Sequence, residues 1–179
     1  MTLWSALLRT RATGWVILIR LLVGLVVFFP EGLQKLLFPD VLGAGRFARI
    51  GIPYPELLGP FVGVVETVCG LLIIVGLFTR LATIPLLIVM VVAIVSTKAP
   101  ILLGRDVGPF QILGQDVGPF HLAADIKRLG FWSAQHEARA DLTMFLGLLF
   151  LLIVGAGRWS FDASLASRPG NSISREPRL

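Results

Sequence analysis

The chain of 179 residues is strongly apolar: 55% of its residues are hydrophobic and 15% are charged, and its mean hydropathy is +0.84. Soluble domains carry about 25% charged residues, so the composition excludes an ordinary soluble protein and predicts an integral membrane protein surrounded by the lipid bilayer. The net charge of +5 does not indicate a nucleic-acid partner, because the basic residues stand at the ends of apolar stretches and in the C-terminal RPGNSISREPRL, as in many membrane proteins.

Four apolar stretches approach or exceed the roughly 20 residues that a helix needs to cross a bilayer. They cover about residues 14–37, 56–78, 81–97 and 140–157. We therefore expect an all-α fold, a four-helix membrane bundle that forms one domain over residues 1–162, followed by a flexible basic tail at 163–179. The first stretch is expected to be retained and not cleaved as a signal, since Arg20 interrupts it and FFPEG follows it.

The third connection, residues 98–139, is long and contains a tandem repeat, LLGRDVGPFQ followed by ILGQDVGPFH. Its Gly-Pro pairs predict turns. After the repeat, Leu122, Ile126 and Leu129 fall on one helical face, which favours a short helix on the membrane surface. A loop that plugs the bundle is the alternative.

An even number of spans places both termini on one side of the membrane. Basic residues are distributed almost equally between the two sides, with a slight preference for cytoplasmic termini in a bacterial inner membrane. The single cysteine excludes an intrachain disulfide and a cysteine cluster for zinc or iron–sulfur. Both histidines, His121 and His136, lie in the third connection, so we expect neither a metal nor a haem.

Charged residues within the first stretch lie on one face of the predicted helix. At about 100° per residue, they and two neighbours fall within about 80° of arc; the face comprises Arg20, Gly24, Phe28, Glu31 and Lys35. A charge at the bilayer centre costs about 2.5–3.5 kcal/mol and usually faces the bundle interior. Pro30 also removes the hydrogen bond that the carbonyl of Val26 would accept, so it should kink the helix.

The second stretch supplies a complementary stripe about 60° wide, formed by Gly59, Gly63, Glu66 and Gly70. Small residues allow close approach of two helices, and Glu66 has no charged neighbour on its own helix. We expect Arg20 to be its partner, at similar depth on the antiparallel first helix. The pair is interpreted in three ways: as a structural ion pair, as part of a ligand or redox site, or as part of a transport path.

These residues resemble a known family. Arg20 with Gly24, EGLQK at 31–35, VETVCGLLIIVGLFTR at 65–80 and ADLTMFLGLLFLLIVGAGRWSFD at 140–162 are similar to the DoxX family of small four-helix bacterial membrane proteins. The resemblance covers nearly the whole chain except the repeat. It maps the family's polar and glycine positions onto Arg20, Gly32, Lys35, Glu66, Gly70, Gly76 and Arg80.

The resemblance implies a membrane subunit of a quinone-linked oxidoreductase system, since relatives are associated with thiosulfate:quinone oxidoreductase, with quinol oxidation and with complexes that handle thiol or oxidative stress. The chain would then use a quinone or a partner's cofactor. In this hypothesis Arg20 and Glu66 are catalytic, and a quinone is bound by the set Arg20, Glu31, Lys35, Glu66 and Gly70. The alternative is a non-catalytic anchor or assembly protein whose third connection docks a protein partner or a second copy. A small-solute transporter is the third hypothesis.

Overall fold

The computed structural model describes residues 13–103 and 131–167, apart from the side chains of residues 132 and 133. Every regular element in these ranges is helical, which confirms the all-α prediction. The elements are α1 (Val16–Leu37), α2 (Ala44–Arg49), α3 (Pro55–Val75), α4 (Thr79–Leu102), α5 (Phe131–Val154) and α6 (Phe161–Ala166). Apart from Leu102 and Leu103, the tandem repeat lies outside the described residues, as do Leu122, Ile126 and Leu129 of the expected surface helix.

Three of the long helices, α1, α3 and α4, are long and apolar enough to cross a membrane. Helix α5 has sufficient length, at 24 residues, but its first half carries Glu137, Arg139 and Asp141. The structure therefore confirms an all-α membrane protein with three candidate spans, and a fourth span through α5 stays a prediction.

The four long helices pack as an up-and-down bundle, in which α3 lies between α1 and α4, and α5 closes the arrangement against both. Helices α1 and α3 are antiparallel: Gly24 of α1 faces Gly70 and Ile74 of α3, whereas Leu36 faces Gly63. The shared interior is apolar. Its fully enclosed side chains include Val27, Ile73, Leu86, Leu148 and Leu151.

Two of the long helices contain a π-helical segment, Val27–Leu33 in α1 and Ile94–Lys98 in α4. Pro30 lies within the first. A proline cannot donate the usual hydrogen bond to the carbonyl four residues earlier, and the wider i→i+5 pattern of a π segment accommodates that loss. The distortion predicted at Pro30 therefore takes the form of a π segment.

Several expected boundaries are wrong. Helix α4 continues to Leu102 and α5 begins at Phe131, so both ends of the predicted connection 98–139 are helical. Hydropathy marks the apolar part of a helix and not the helix itself, which is why it predicts a loop for the charged first half of α5. Residues 163–166, expected in the flexible tail, belong to α6.

Candidate functional site

A buried ion cluster joins α1 to α3. The Nζ atom of Lys35 donates hydrogen bonds to both carboxylate oxygens of Glu66, at 2.7 Å to Oε1 and 2.6 Å to Oε2. It also donates to Oε2 of Glu31 at 3.3 Å. We call these three residues the Lys35 cluster. One ammonium group is thus bound by two carboxylates, one from its own helix and one from the facing helix.

Burial within the cluster is graded. The side chain of Glu66 is 0% exposed, that of Lys35 8% and that of Glu31 33%. An isolated charge of this kind is costly to bury, and a paired, hydrogen-bonded one is tolerated. Arg46 of α2 also acts electrostatically on Glu66, so α2 contributes a positive charge to the surroundings of the pair.

The helix geometry explains why Lys35 reaches Glu66. A Cβ added to Gly32 would lie 2.6 Å from the backbone nitrogen of Thr67, so α1 and α3 touch at this level. Side chains on a helix point back towards its N-terminus, which directs Lys35 down α1 to the level of Glu66. The predicted i,i+4 relation between Glu31 and Lys35 is confirmed as a salt bridge.

The expected Arg20–Glu66 pair is wrong. Arg20 is 3% exposed, and its Nη1 atom donates to the carbonyl oxygens of Ala156 and Trp159, both at 2.8 Å. These carbonyls follow the C-terminal end of α5, where a positive charge is favoured. Arg20 therefore fixes the C-terminal end of α5 against the first turns of α1, about four helical turns from Lys35.

Gly76 and Asp162 complete the surroundings of Arg20, and sequence reasoning gave Asp162 no role. The carboxylate of Asp162 accepts hydrogen bonds from the backbone N–H groups of Phe78 at 2.7 Å and Thr79 at 3.0 Å, so it caps the start of α4. It also acts electrostatically on Arg20. A Cβ on Gly76 would lie 2.6 Å from Nη1 of Arg20.

Gly70, predicted to contact a cofactor, lies against the backbone of Phe28, where an added Cβ would be 2.9 Å from the Phe28 nitrogen. The structure thus places Gly70 in the contact between α1 and α3. Of the five predicted cofactor-binding residues, it brings together Glu31, Lys35 and Glu66.

A second ammonium lies between two carboxylates at the join of α4 and α5. Nζ of Lys98 is 3.7 Å from Oε2 of Glu137 and 3.5 Å from Oδ2 of Asp141. These contacts are longer than those of Lys35, and all three side chains are partly exposed. Sequence analysis did not assign a role to Lys98; its position at the end of a long apolar run was the available signal. Within residues 13–103 and 131–167, no group of three or more His, Cys, Asp or Glu residues could hold a metal ion.

Comparison with known proteins agrees with this architecture. The DoxX family model matches residues 15–99, a range that contains the complete Lys35 cluster. The chain is also 49% identical over 165 residues to an uncharacterized membrane protein of Mycobacterium tuberculosis (strain ATCC 25618 / H37Rv). The aligned region covers 92% of this chain and 90% of the relative. No solved structure matches the chain. The chain belongs to the DoxX family of membrane proteins.

Proposed function

We propose that this protein is the membrane subunit of a quinone-linked oxidoreductase system in a bacterial inner membrane, with the Lys35 cluster as its quinone-facing site. The observation that carries the proposal is a fully buried carboxylate, Glu66, bound to an ammonium that also binds the partly exposed Glu31. Buried ionisable groups in membrane helices are most often functional. Family membership supports the role of a membrane subunit.

The residues around the cluster fit a quinone. Lys35 contacts Glu31 at 3.3 Å, the longest of its three contacts, so this N–H is the one most readily turned towards a ligand oxygen. On the same π segment, the partly exposed Phe28 precedes Glu31 by three residues and therefore offers an aromatic ring on the same face of α1. A quinone bound here would act as a lipid-soluble carrier of two electrons and two protons.

The chain's own residues supply binding and proton transfer. Lys35 would hold a ligand oxygen by a charge-assisted hydrogen bond. Glu66, which has no exposed surface, would accept or release a proton beside it, and Lys35 would stabilise its carboxylate form. In this proposal Arg20 does not contact the quinone, because its guanidinium binds the carbonyls of Ala156 and Trp159. Electrons would pass to or from a redox group in a partner protein.

The test is quinone bound to the purified protein. The wild type, Glu66→Gln and Glu56→Gln are reconstituted in lipid nanodiscs with excess quinone, washed, extracted and analysed by mass spectrometry. Glu56→Gln is the matched control, since it makes the same change at an exposed position of the same helix. We expect stoichiometric quinone in the wild type and the control and its loss in folded Glu66→Gln. Equal amounts in all three proteins, or none in the wild type, would contradict the proposal.

A non-catalytic membrane anchor or assembly protein is the second candidate. The observation that favours it is the complete hydrogen bonding of Lys35, whose three N–H groups have three carboxylate oxygens within 3.3 Å. Such a cluster could serve only to fix α1 against α3. In that case a variant that replaces both Lys35 and Glu66 by methionine would keep its partner complex and the activity of that complex.

A further inference from the structure

The two carboxylates of the Lys35 cluster differ in exposure: the side chain of Glu66 is 0% exposed and that of Glu31 is 33% exposed. We propose that Glu31 is the group through which the buried Lys35–Glu66 pair exchanges protons with water, and that this exchange occurs only at the membrane face where α1 ends and α3 begins. The biological role of this proton exchange rests on the proposed function, in which Glu66 exchanges protons with a quinone. The exchange itself can be measured without a quinone.

The contacts form a continuous sequence from the interior to the surface. Glu66 is 0% exposed and touches Lys35 at 2.6 Å, and Lys35 is 8% exposed and touches Glu31, which is 33% exposed. Glu31 is the most exposed of the three residues of the Lys35 cluster. It lies in the last two turns of α1, on the side where α1 ends and α3 begins.

Towards the termini the interior is closed by apolar side chains. Val27 lies two turns before Lys35 on α1, and Ile73 lies two turns after Glu66 on α3; both are 0% exposed and belong to the same packed cluster as Leu148 of α5. Beyond this layer Arg20 holds the carbonyls at the end of α5. A proton moving from Glu66 towards the termini would have to cross this apolar layer.

The transfer can be written with each proton accounted for. One N–H bond of the Lys35 ammonium breaks as an O–H bond forms on the Glu31 carboxylate, and protonated Glu31 releases this proton to water. The neutral amine of Lys35 then takes a proton from protonated Glu66, which becomes a carboxylate. Within the described part of the chain, the charged groups that act on Glu66 besides Lys35 are Glu31 on α1 and Arg46 on α2.

The rate of exchange is the first measurement. Quinone-free protein in nanodiscs is subjected to a pH jump, and protonation of Glu66 is followed by infrared spectroscopy in the carboxyl band that Glu66→Gln removes. We expect Glu31→Gln to slow the response by about 10²-fold, the lower end of what one positioned proton-transfer group contributes. Glu31→Asp should recover most of the rate, and Glu137→Gln should match the wild type. An unchanged rate in Glu31→Gln, or no Glu66 response from pH 4 to 10, would overturn the proposal.

The side of exchange is measured separately. In a Cys69→Ala background, Glu31→Cys and the control Ser164→Cys are placed in vesicles whose orientation is set by the accessibility of an N-terminal tag. A membrane-impermeant thiol reagent should label Glu31→Cys only from the face opposite the tag, and Ser164→Cys from the tagged face. Labelling of Glu31→Cys from the tagged face, or from neither face, would overturn the proposal. If this access is found and no quinone binds, the proposed function fails and the proton route stands.

Discussion

Replacement of Lys35 by methionine should strongly destabilise the protein, because it leaves the carboxylate of Glu66 buried without a partner. Glu66 is 0% exposed and receives two short hydrogen bonds from Lys35. Loss of one partner of a buried ion pair costs about 3–5 kcal/mol, and insertion of a lone charge at mid-membrane costs about 2.5–3.5 kcal/mol. Since Glu66 can take up a proton, we expect a loss of about 3 kcal/mol.

The double variant Lys35→Met with Glu66→Met should recover most of that loss. Methionine fills a comparable volume, and replacement of a whole buried ion pair by apolar groups is often neutral. The free energies of unfolding are measured by denaturant titration in mild detergent for the wild type, both single variants and the double variant. Lys98→Met is the control; its ammonium lies 3.5 Å or more from its carboxylates, so its loss should be about 1 kcal/mol or less.

Two results would refute this reasoning. A loss below about 1 kcal/mol in Lys35→Met would mean that the pair contributes no more than an exposed one. A double variant as unstable as Lys35→Met would mean that the two methionines do not fit the site. The loss in free energy of unfolding would then come from side-chain volume and not from an unpaired charge. A stable double variant would in addition separate structure from function, because it keeps the fold and removes the groups that transfer protons.

Two further changes test the surroundings of Arg20. Gly76→Ala should destabilise more than Gly51→Ala: both glycines have positive φ, of +72° and +79°, but a Cβ at Gly76 would meet Arg20 at 2.6 Å and one at Gly51 meets nothing within 4 Å. The backbone cost is about 1–2 kcal/mol in both, so equal melting temperatures of the two variants would contradict the contact. Asp162→Ala should cost about 1–3 kcal/mol, because the backbone N–H of Thr79 loses the carboxylate oxygen that accepts its hydrogen bond. Asp162→Asn, which keeps one oxygen acceptor, should lose less, and unchanged hydrogen exchange in the first turn of α4 would contradict the cap.

The inward orientation of the charges could be predicted from sequence, but their pairing could not. Periodicity placed Glu31 and Lys35 on the face that meets α3, and the small-residue stripe placed Glu66 opposite them. The pairing depends on the axial register of two helices. A hydropathy profile gives no register, because it marks where each apolar stretch begins and ends and not how far one helix slides along another.

The register is set by close contacts of glycines. Gly24 faces Gly70 and Ile74, and Gly32 faces Thr67; Arg20, one turn before Gly24, therefore lies beyond the end of α3, beside Gly76. The assumption of similar depth was the error. Even from the predicted spans, at about 1.5 Å per residue, Glu66 lies about 9 Å deeper than Arg20 from the side of the termini.

The role of Asp162 required tertiary structure. Its carboxylate caps a helix that begins 83 residues earlier in the chain, at Thr79. Local capping rules look for an acceptor immediately before the first turn, and the residue before α4 is Phe78, with a left-handed backbone at φ 48° and no side-chain cap. The sequence around Asp162 does not indicate this cap, because only the fold brings the Thr79 N–H donor close to the Asp162 carboxylate.

The bonding partners of the two buried cations indicate different roles. Arg20 binds the backbone carbonyls of Ala156 and Trp159, which cannot change protonation, so this contact is suited to hold α5 in place. Among the residues that the structure describes, Lys35 binds only side-chain carboxylates, each of which can gain or lose a proton. Both cations are costly to bury in a bilayer. The partners of Arg20 cannot take part in proton transfer, whereas those of Lys35 can. The Lys35 cluster is for this reason the part of the molecule where chemistry is to be sought.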